Sequence, residues 1–212
     1  MSEKIFDQNL SRLENIFGRT EIVNRTKRLK EIFQSTETSW QKNLDRLSDK
    51  KVQNLLIAEA APWSDSGTPR FFYNQIESSY HQRIWRAFFP DTPIPKDNET
   101  AFNMLADKNF LLIDTIPFSM SYSRKRNHSD YYEIVANSLN WWTEKLKSDK
   151  IIFSKKVNVA FAFKVNGLSV IRATNGILKL KDGQTIKLTD KIIAADGSGY
   201  TNSERLRTIY SL

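Results

Sequence analysis

The chain has 212 residues, of which 40% are hydrophobic and five are tryptophans, enough to build the core of one folded domain. It has no cysteine and two histidines, which excludes disulfides, thiolate zinc sites, cysteine nucleophiles and a histidine-rich metal centre. A count of 32 Lys and Arg against 24 Asp and Glu gives a net charge of +8. That charge favours a polyanionic partner such as nucleic acid or an anionic surface, although it also serves general solubility.

The amino terminus has neither the basic start nor the apolar stretch of a secretory signal. No segment approaches the ~18 consecutive apolar residues that a membrane helix needs. We therefore expect a cytoplasmic protein without a membrane partner. No cofactor is expected either. The sequence leaves the oligomeric state open.

The first quarter of the chain is polar, with apolar residues at helical intervals such as Leu10, Leu13 and Phe17. This spacing predicts two or three helices between about residues 5 and 47. We interpret residues 1–50 as a helical extension of an α/β core at 51–212, the two together forming a single domain of residues 1–212.

Strand and helix patterns alternate in the core. Apolar runs predict strands at about 52–58, 110–114 and 157–163, and helical patterns occupy about 78–89, 99–108 and 131–146. Such alternation is typical of a parallel sheet covered by helices. The expected fold is therefore an α/β three-layer sandwich with a short, mainly parallel central sheet.

The carboxyl third has a different pattern. Residues 176–188 alternate apolar and polar around Asp182-Gly183, which predicts a β-hairpin. Residues 192–195 then form the last core strand in this interpretation. Asn202 is a suitable cap for a terminal helix at 203–209.

The first two core strands each end in an acid, Glu59 after the first and Asp114 at the end of the second. Parallel sheets present ligand-binding loops at the carboxyl ends of their strands. We expect three loops to meet at this edge, at 59–73, 114–128 and 197–205. The sequence thus predicts one site that contains both acids.

The stretch Ala58-Glu59-Ala60-Ala61-Pro62, followed by Gly67 and Phe72, resembles the first motif of the uracil-DNA glycosylase superfamily. In that family a Gly-Glu-Ala-Pro-like turn precedes a glycine and an aromatic ring that stacks on a flipped base. The stretch Phe110 to Thr115 resembles the family's second core strand, which ends in a base-recognising polar residue. The late loop at 196–203 occupies the place of the family's DNA-intercalating segment.

The resemblance implies a uracil-DNA-glycosylase-like fold and a protein that binds DNA, a nucleobase or a nucleotide and hydrolyses the N-glycosidic bond of a damaged base. Glu59 would be the catalytic carboxylate that positions water. The implied substrate-binding residues are Ala60, Pro62, Phe72, Tyr73 and Asp114. An ionised Asp114 accepts hydrogen bonds but cannot donate to a uracil carbonyl, so it suits an amino-bearing base.

A basic run at 123–128 and the late glycine loop are candidates for phosphate contact. The proposed nucleic-acid-binding residues are Arg124, Arg126, His128, Ser198, Gly199, Tyr200, Ser203 and Arg205. Each also has a structural interpretation, as a solvated loop residue or a helix cap. The sequence alone leaves both open.

Two other functions remain open at this level. The carboxyl third has no histidine, whereas the family normally uses one there to stabilise charge on the leaving uracil. The chain would then be a catalytically inactive nucleic-acid-binding module of the same fold. The other alternative is an α/β hydrolase that acts on a small anionic substrate.

Overall fold

The fold is described by a computed structural model, which covers residues 3–76, 78–197 and 199–212. The first quarter forms two helices, α1 (Glu3–Phe17) and α2 (Arg19–Arg46). Gly18 joins them with a φ of +93°, a left-handed conformation that is readily available only to glycine. The chain therefore turns sharply between two helices that the sequence pattern had predicted.

The central sheet has three strands, β1 (Lys51–Ala58), β2 (Phe110–Asp114) and β3 (Ile152–Phe161). They are all parallel and lie in the order β2-β1-β3. The middle strand β1 buries consecutive apolar side chains because helices and loops cover both of its faces. This confirms the predicted α/β class and parallel sheet.

Five helices connect or cover these strands. They are α3 (Ser79–Phe88), α4 (Asn98–Asp107), α5 (Ser129–Asn137), α6 (Leu139–Leu146) and α7 (Lys164–Ala173). The helical pattern predicted at 131–146 is in fact two helices that meet at Ser138. The sequence pattern did not predict α7.

Helix α7 packs closely against the end of β3. A Cβ at Gly167 would lie 2.8 Å from Cγ and 2.9 Å from Cβ of Phe161, so only glycine allows this approach. A glycine inside a polar helical segment weakens its sequence signal. The close packing positions the first turn of α7 next to the carboxyl edge of the sheet.

The predicted hairpin is confirmed as β4 (Ile177–Lys179) paired antiparallel with β5 (Thr185–Lys187). The predicted strand at 192–195 needs correction. A turn of 3₁₀ helix at Asp190–Ile192 leads into a single parallel bridge between Ile193 and Phe161. Ala194 N donates to Phe161 O of β3 at 2.9 Å, but Ala194 O accepts from Asn202 N at 2.7 Å, so the pairing with β3 does not continue.

The terminal helix α8 (Ser203–Tyr210) is confirmed, and the Asn202 side chain caps it by accepting a hydrogen bond from the Arg205 amide at 3.0 Å. Within the described residues, none of the helices combines the length and apolar character needed to span a bilayer.

Candidate functional site

The register of the sheet decides where the two predicted acids point. Ala58 pairs with Asp114 across β1 and β2, so these two side chains share one face of the sheet. Glu59 is the next residue and, by strand alternation, points to the opposite face. The single site predicted from sequence is therefore divided between two faces at the same edge.

Glu59 is 5% exposed and is held by two side chains. Arg126 donates from Nε to Oε1 at 2.7 Å and from Nη2 to Oε2 at 2.8 Å, a bidentate pair. The hydroxyl of Tyr131 donates to Oε1 at 2.6 Å. Both carboxylate oxygens are thus occupied by donors from the loop after β2 and from α5.

A second layer of hydrogen bonds supports Tyr131. The buried Asn166 on α7 donates from Nδ2 to the Tyr131 hydroxyl at 3.2 Å and to Thr115 Oγ1 at 2.9 Å. Thr115 donates in turn to the carbonyl of Ala58 at 3.0 Å. The network therefore fixes Glu59 to the ends of β1 and β2 and to the first turn of α7.

The electrostatics keep Glu59 and Arg126 as a charged pair. Burial lowers the pKa of Arg126, but the hydrogen bonds and charge of Glu59 outweigh burial and the net shift is upward. Burial and then the negative charge of Glu59 raise the pKa of Tyr131, so its hydroxyl stays a neutral donor. The Arg126 guanidinium also lies 4.6 Å from the ring centroid of Phe163 at the end of β3.

Asp114 faces a different environment, a pocket between the sheet, α2 and α6. Its cavity volume is about 10 Å³, so the pocket as it stands admits about one water molecule. The charged and aromatic residues of the lining are Glu37, Trp40, Phe71, Asp114, Trp141 and Lys145.

Lys145 fills part of this pocket with its ammonium group. Its Nζ lies 2.6 Å from Oε1 of Glu37 and 4.6 Å from the ring centroids of both Trp40 and Trp141. Distances below about 6 Å to a ring centroid are typical of cation–π contacts. The lysine head is therefore enclosed by two indole rings and a carboxylate.

The pocket shifts the protonation of both of its central charges. Burial raises the pKa of Asp114 to about 7, Lys145 opposes this shift, and the charges of Glu59 and Glu37 add to it. Burial lowers the pKa of Lys145, although Glu37 and Asp114 oppose that shift. Asp114 consequently changes charge near neutral pH.

The rings of Phe72 and Tyr73 do not face this pocket. Phe72 is buried and stacks on His81 with centroids 4.6 Å apart, and the Tyr73 hydroxyl accepts a hydrogen bond from the Leu112 amide at 2.7 Å. In place of the predicted stacking surface they form the aromatic core behind β2. Phe71 is the aromatic residue of this motif that lines the pocket.

The loop after β1 carries the other predicted substrate-binding residues. Ala60 is partly buried against the core, whereas Pro62 is exposed. Arg28 of α2 holds the loop by donating to the carbonyls of Ser64 at 3.1 Å and Gly67 at 2.7 Å. The helical extension thus helps to shape the strand-end surface.

Some side chains of the basic run after β2 are exposed, and others contact neighbouring residues. Arg124 and Lys125 are exposed, while Arg126 turns inward to Glu59. His128 caps α5, because its Nδ1 accepts a hydrogen bond from the Asp130 amide at 3.2 Å. Of the predicted phosphate contacts in this run, Arg124 and His128 are exposed, whereas Arg126 is partly buried.

The late loop lies beside the end of β3, where Thr201 donates to the carbonyl of Ala162 at 2.8 Å. Its Tyr200 is 46% exposed and its ring lies 5.5 Å from the Arg83 guanidinium. The Gly199 amide donates to Asp196 O at 2.9 Å. Ser198, also predicted to contact nucleic acid, lies outside the described residues.

Ser203 and Arg205 are the last two residues predicted to contact nucleic acid, and both donate hydrogen bonds to backbone carbonyls. Ser203 donates to Arg83 O at 2.7 Å, and Arg205 Nη1 donates to Ala195 O at 2.5 Å. These bonds tie α8 to α3 and to the turn after the last bridge. Arg205 remains exposed along the rest of its side chain.

Sequence reasoning missed several residues of the two environments. Tyr131 and Asn166 support Glu59, whereas Trp40, Trp141 and Lys145 enclose the Asp114 pocket. Among these residues only Trp141 has a local sequence signal, since it lies beside Trp142 in a helical pattern, which is typical of packing between a helix and a sheet. No group of side chains suited to hold a metal ion occurs in the part of the chain that the structure describes.

Comparisons with models of protein families, with curated proteins and with solved structures found no match to this chain. The resemblance to the glycosylase superfamily therefore depends on the strand-end residues themselves.

Proposed function

We propose that the chain is a uracil-DNA-glycosylase-like protein that binds DNA at the carboxyl edge of its sheet and hydrolyses the N-glycosidic bond of a damaged base. The observation that carries this proposal is that two strand-end carboxylates, Glu59 after the central strand and Asp114 on its neighbour, lie at the same end of the sheet on opposite faces, and that Asp114 lines a pocket there. Pockets at the carboxyl ends of parallel strands are the usual ligand sites of α/β folds.

Asp114 is the proposed base-recognising residue. A carboxyl group with a pKa of about 7 can accept from an exocyclic amino group when ionised and donate to a ring nitrogen or carbonyl when protonated. The aromatic rings of Phe71, Trp40 and Trp141 supply apolar walls. A base with both amino and carbonyl groups on its edge suits this set.

Glu59 is the proposed carboxylate for the hydrolytic step. Water would form a bond to the anomeric carbon as the bond to the base nitrogen breaks. The base leaves with the electron pair of that bond, and Glu59 accepts a proton from the water. This requires one oxygen of Glu59 to be released by Arg126, for which a DNA phosphate is a competing anion.

A second candidate function is a nucleic-acid-binding module without chemistry. One observation favours it, namely that Arg126 and Tyr131 donate three hydrogen bonds to Glu59 and engage both of its carboxylate oxygens. In that case Glu59 is a structural anion that fixes the loop after β2.

Excision of bases distinguishes the two candidates. The protein is incubated with oligonucleotides that carry uracil, hypoxanthine, xanthine or alkylated bases, and alkaline cleavage reveals abasic sites. We expect cleavage that is lost in Glu59→Gln but retained in Asp65→Asn, an exposed carboxylate of the same loop. Binding without cleavage on every substrate would favour the module instead.

The DNA surface has its own test. Replacing Arg124 and Lys125 by Ala removes two exposed charges at the proposed edge, whereas replacing Lys155 and Lys156 removes two from the first half of β3. Each lost phosphate contact reduces the steepness of the plot of log K for DNA against log salt concentration by about 0.9. We expect a smaller slope only for the first pair. Equal slopes would contradict the assigned surface.

A further inference from the structure

Within the proposed function, the structure assigns a substrate class: we propose that the Asp114 pocket binds a cationic nucleobase, such as an N-alkylated purine, and that Lys145 occupies its place in the resting protein. The lysine ammonium already sits in a cage of two indole rings and a carboxylate. This occupant shows which groups of the pocket contact a positive charge.

The cage has the composition of a cation site. The Lys145 Nζ lies 4.6 Å from the centroids of Trp40 and Trp141, and Glu37 accepts its hydrogen bond at 2.6 Å. Indole faces are the best cation–π partners among the side chains. Two indoles and the Glu37 carboxylate therefore contact one positive charge, and Asp114 lines the same pocket.

The charge balance favours exchange of this cation over its simple removal. If Lys145 left without a replacement, the Glu37 carboxylate would lose its positive partner in a partly desolvated site, which costs free energy. A cationic ligand restores that balance, whereas a neutral base does not. The pocket should therefore select alkylated, positively charged bases over their neutral parents.

The size of the pocket requires the exchange as well. With Lys145 in place only about 10 Å³ can take the centre of a water molecule, so a base cannot enter beside the lysine. The Lys145 side chain extends from α6 and is 13% exposed, so it lies close to the surface. Rotation of one side chain thus exchanges the internal cation for an external one.

The first test measures binding to a variant with an open cage. Lys145→Ala is titrated with N1-methyladenosine, a cation at neutral pH, and with neutral adenosine, using tryptophan fluorescence. We expect about tenfold tighter binding of the methylated nucleoside, the size of a partly desolvated cation–π contact. The matched variant Lys147→Ala, at an exposed position just beyond α6, should bind as the unchanged protein does. Equal affinity for both nucleosides would overturn the proposal.

The second test uses the unchanged protein and does not depend on how a variant folds. N1-methyladenosine should displace Lys145 and increase its acetylation by a lysine-directed reagent several-fold, read by mass spectrometry, while adenosine should not. No change in Lys145 acetylation at any nucleoside concentration overturns the assignment. Both readouts are independent of base excision, so preference for the cation without cleavage refutes only the glycosylase, and cleavage without preference refutes only the substrate class.

Discussion

The two strand-end carboxylates have similar positions in the sequence, but their surroundings in the folded protein differ. Glu59 and Asp114 each follow an apolar parallel strand, and they lie one residue apart in register. Glu59 accepts hydrogen bonds from a guanidinium and a phenol. Asp114 instead lines a pocket together with two indole rings and an ammonium group that is paired to Glu37. The position of an acid at a strand end therefore does not determine its chemistry.

The difference comes from the alternation of side chains across the sheet. On the Glu59 face the loop after β2 and helix α5 supply donors, and Asn166 of α7 holds one of them. On the Asp114 face helices α2 and α6 supply bulky rings and Lys145. One acid accepts three hydrogen bonds from an arginine and a tyrosine, and the pKa of the other is raised to about 7 in a pocket.

The largest expected effect is the loss of the Glu59 ion pair. Arg126→Ala leaves a buried carboxylate without its positive partner, which typically costs about 3–5 kcal/mol of unfolding free energy. The partners are 13% and 7% exposed at their side chains, so solvent screens the pair little. Urea unfolding of the variant measures the cost.

Arg124→Ala is the matched control, because Arg124 lies in the same basic run but is exposed. We expect its unfolding free energy to stay within about 0.5 kcal/mol of the unchanged protein. If both variants lost the same small amount, the Glu59 pair would not be the buried anchor described above.

The sequence predicted the features that depend on local pattern. Buried parallel strands read as uninterrupted apolar runs, so β1 and β2 were found nearly to the residue. The hairpin followed from Asp182-Gly183, because Gly183 adopts a φ of +83°. Helix α7 was missed because Gly167 and several polar residues interrupt its pattern, although the glycine is required by contact with Phe161.

The site was predictable only as far as its strand-end positions. Glu59 and Asp114 were identified because strand ends form one edge, but their partners come from distant parts of the chain. Arg126 is 67 residues from Glu59, and Lys145 is 108 residues from its partner Glu37. Tertiary packing alone determines which helices contact these two acids. A local sequence pattern therefore could not show that Glu59 and Asp114 lie on opposite faces of the sheet.

A second prediction addresses the Asp114 face through pH. Its pKa of about 7 in the fold lies above the ordinary value near 3.9, so folding favours the protonated form. The unfolded chain loses this proton at lower pH, and the penalty on the native state grows as pH rises from about 4 to about 7. Above that range the penalty is constant, at about 2–4 kcal/mol.

Asp114→Asn removes this titration. The difference in unfolding free energy between the variant and the unchanged protein should increase in favour of the variant as pH rises from about 4 to about 7. Above that range the difference should stay constant. Chemical denaturation at a series of pH values measures the difference. The exposed Asp91→Asn serves as the control, and its difference curve should be flat. A flat curve for Asp114→Asn too would place this carboxyl in contact with solvent.

The smallest effect tests how the Glu59 face is held. Tyr131→Phe removes one hydrogen bond to a buried carboxylate and leaves the two from Arg126, which should cost about 1.5–3 kcal/mol. The neighbouring Tyr132→Phe is the control, since its ring packs under the Arg172 guanidinium at 4.0 Å, a contact that does not need the hydroxyl. Thermal or urea unfolding of both variants gives the comparison.

A double-mutant cycle with Glu59→Gln isolates the interaction between the phenol and the carboxylate. If Tyr131 acts through Glu59, the double variant should lose less than the sum of the two single losses, because the charge-assisted bond is absent in either background. Additive losses would mean that Tyr131 contributes through packing and through Asn166 alone. The contrast between the faces would then depend on Arg126.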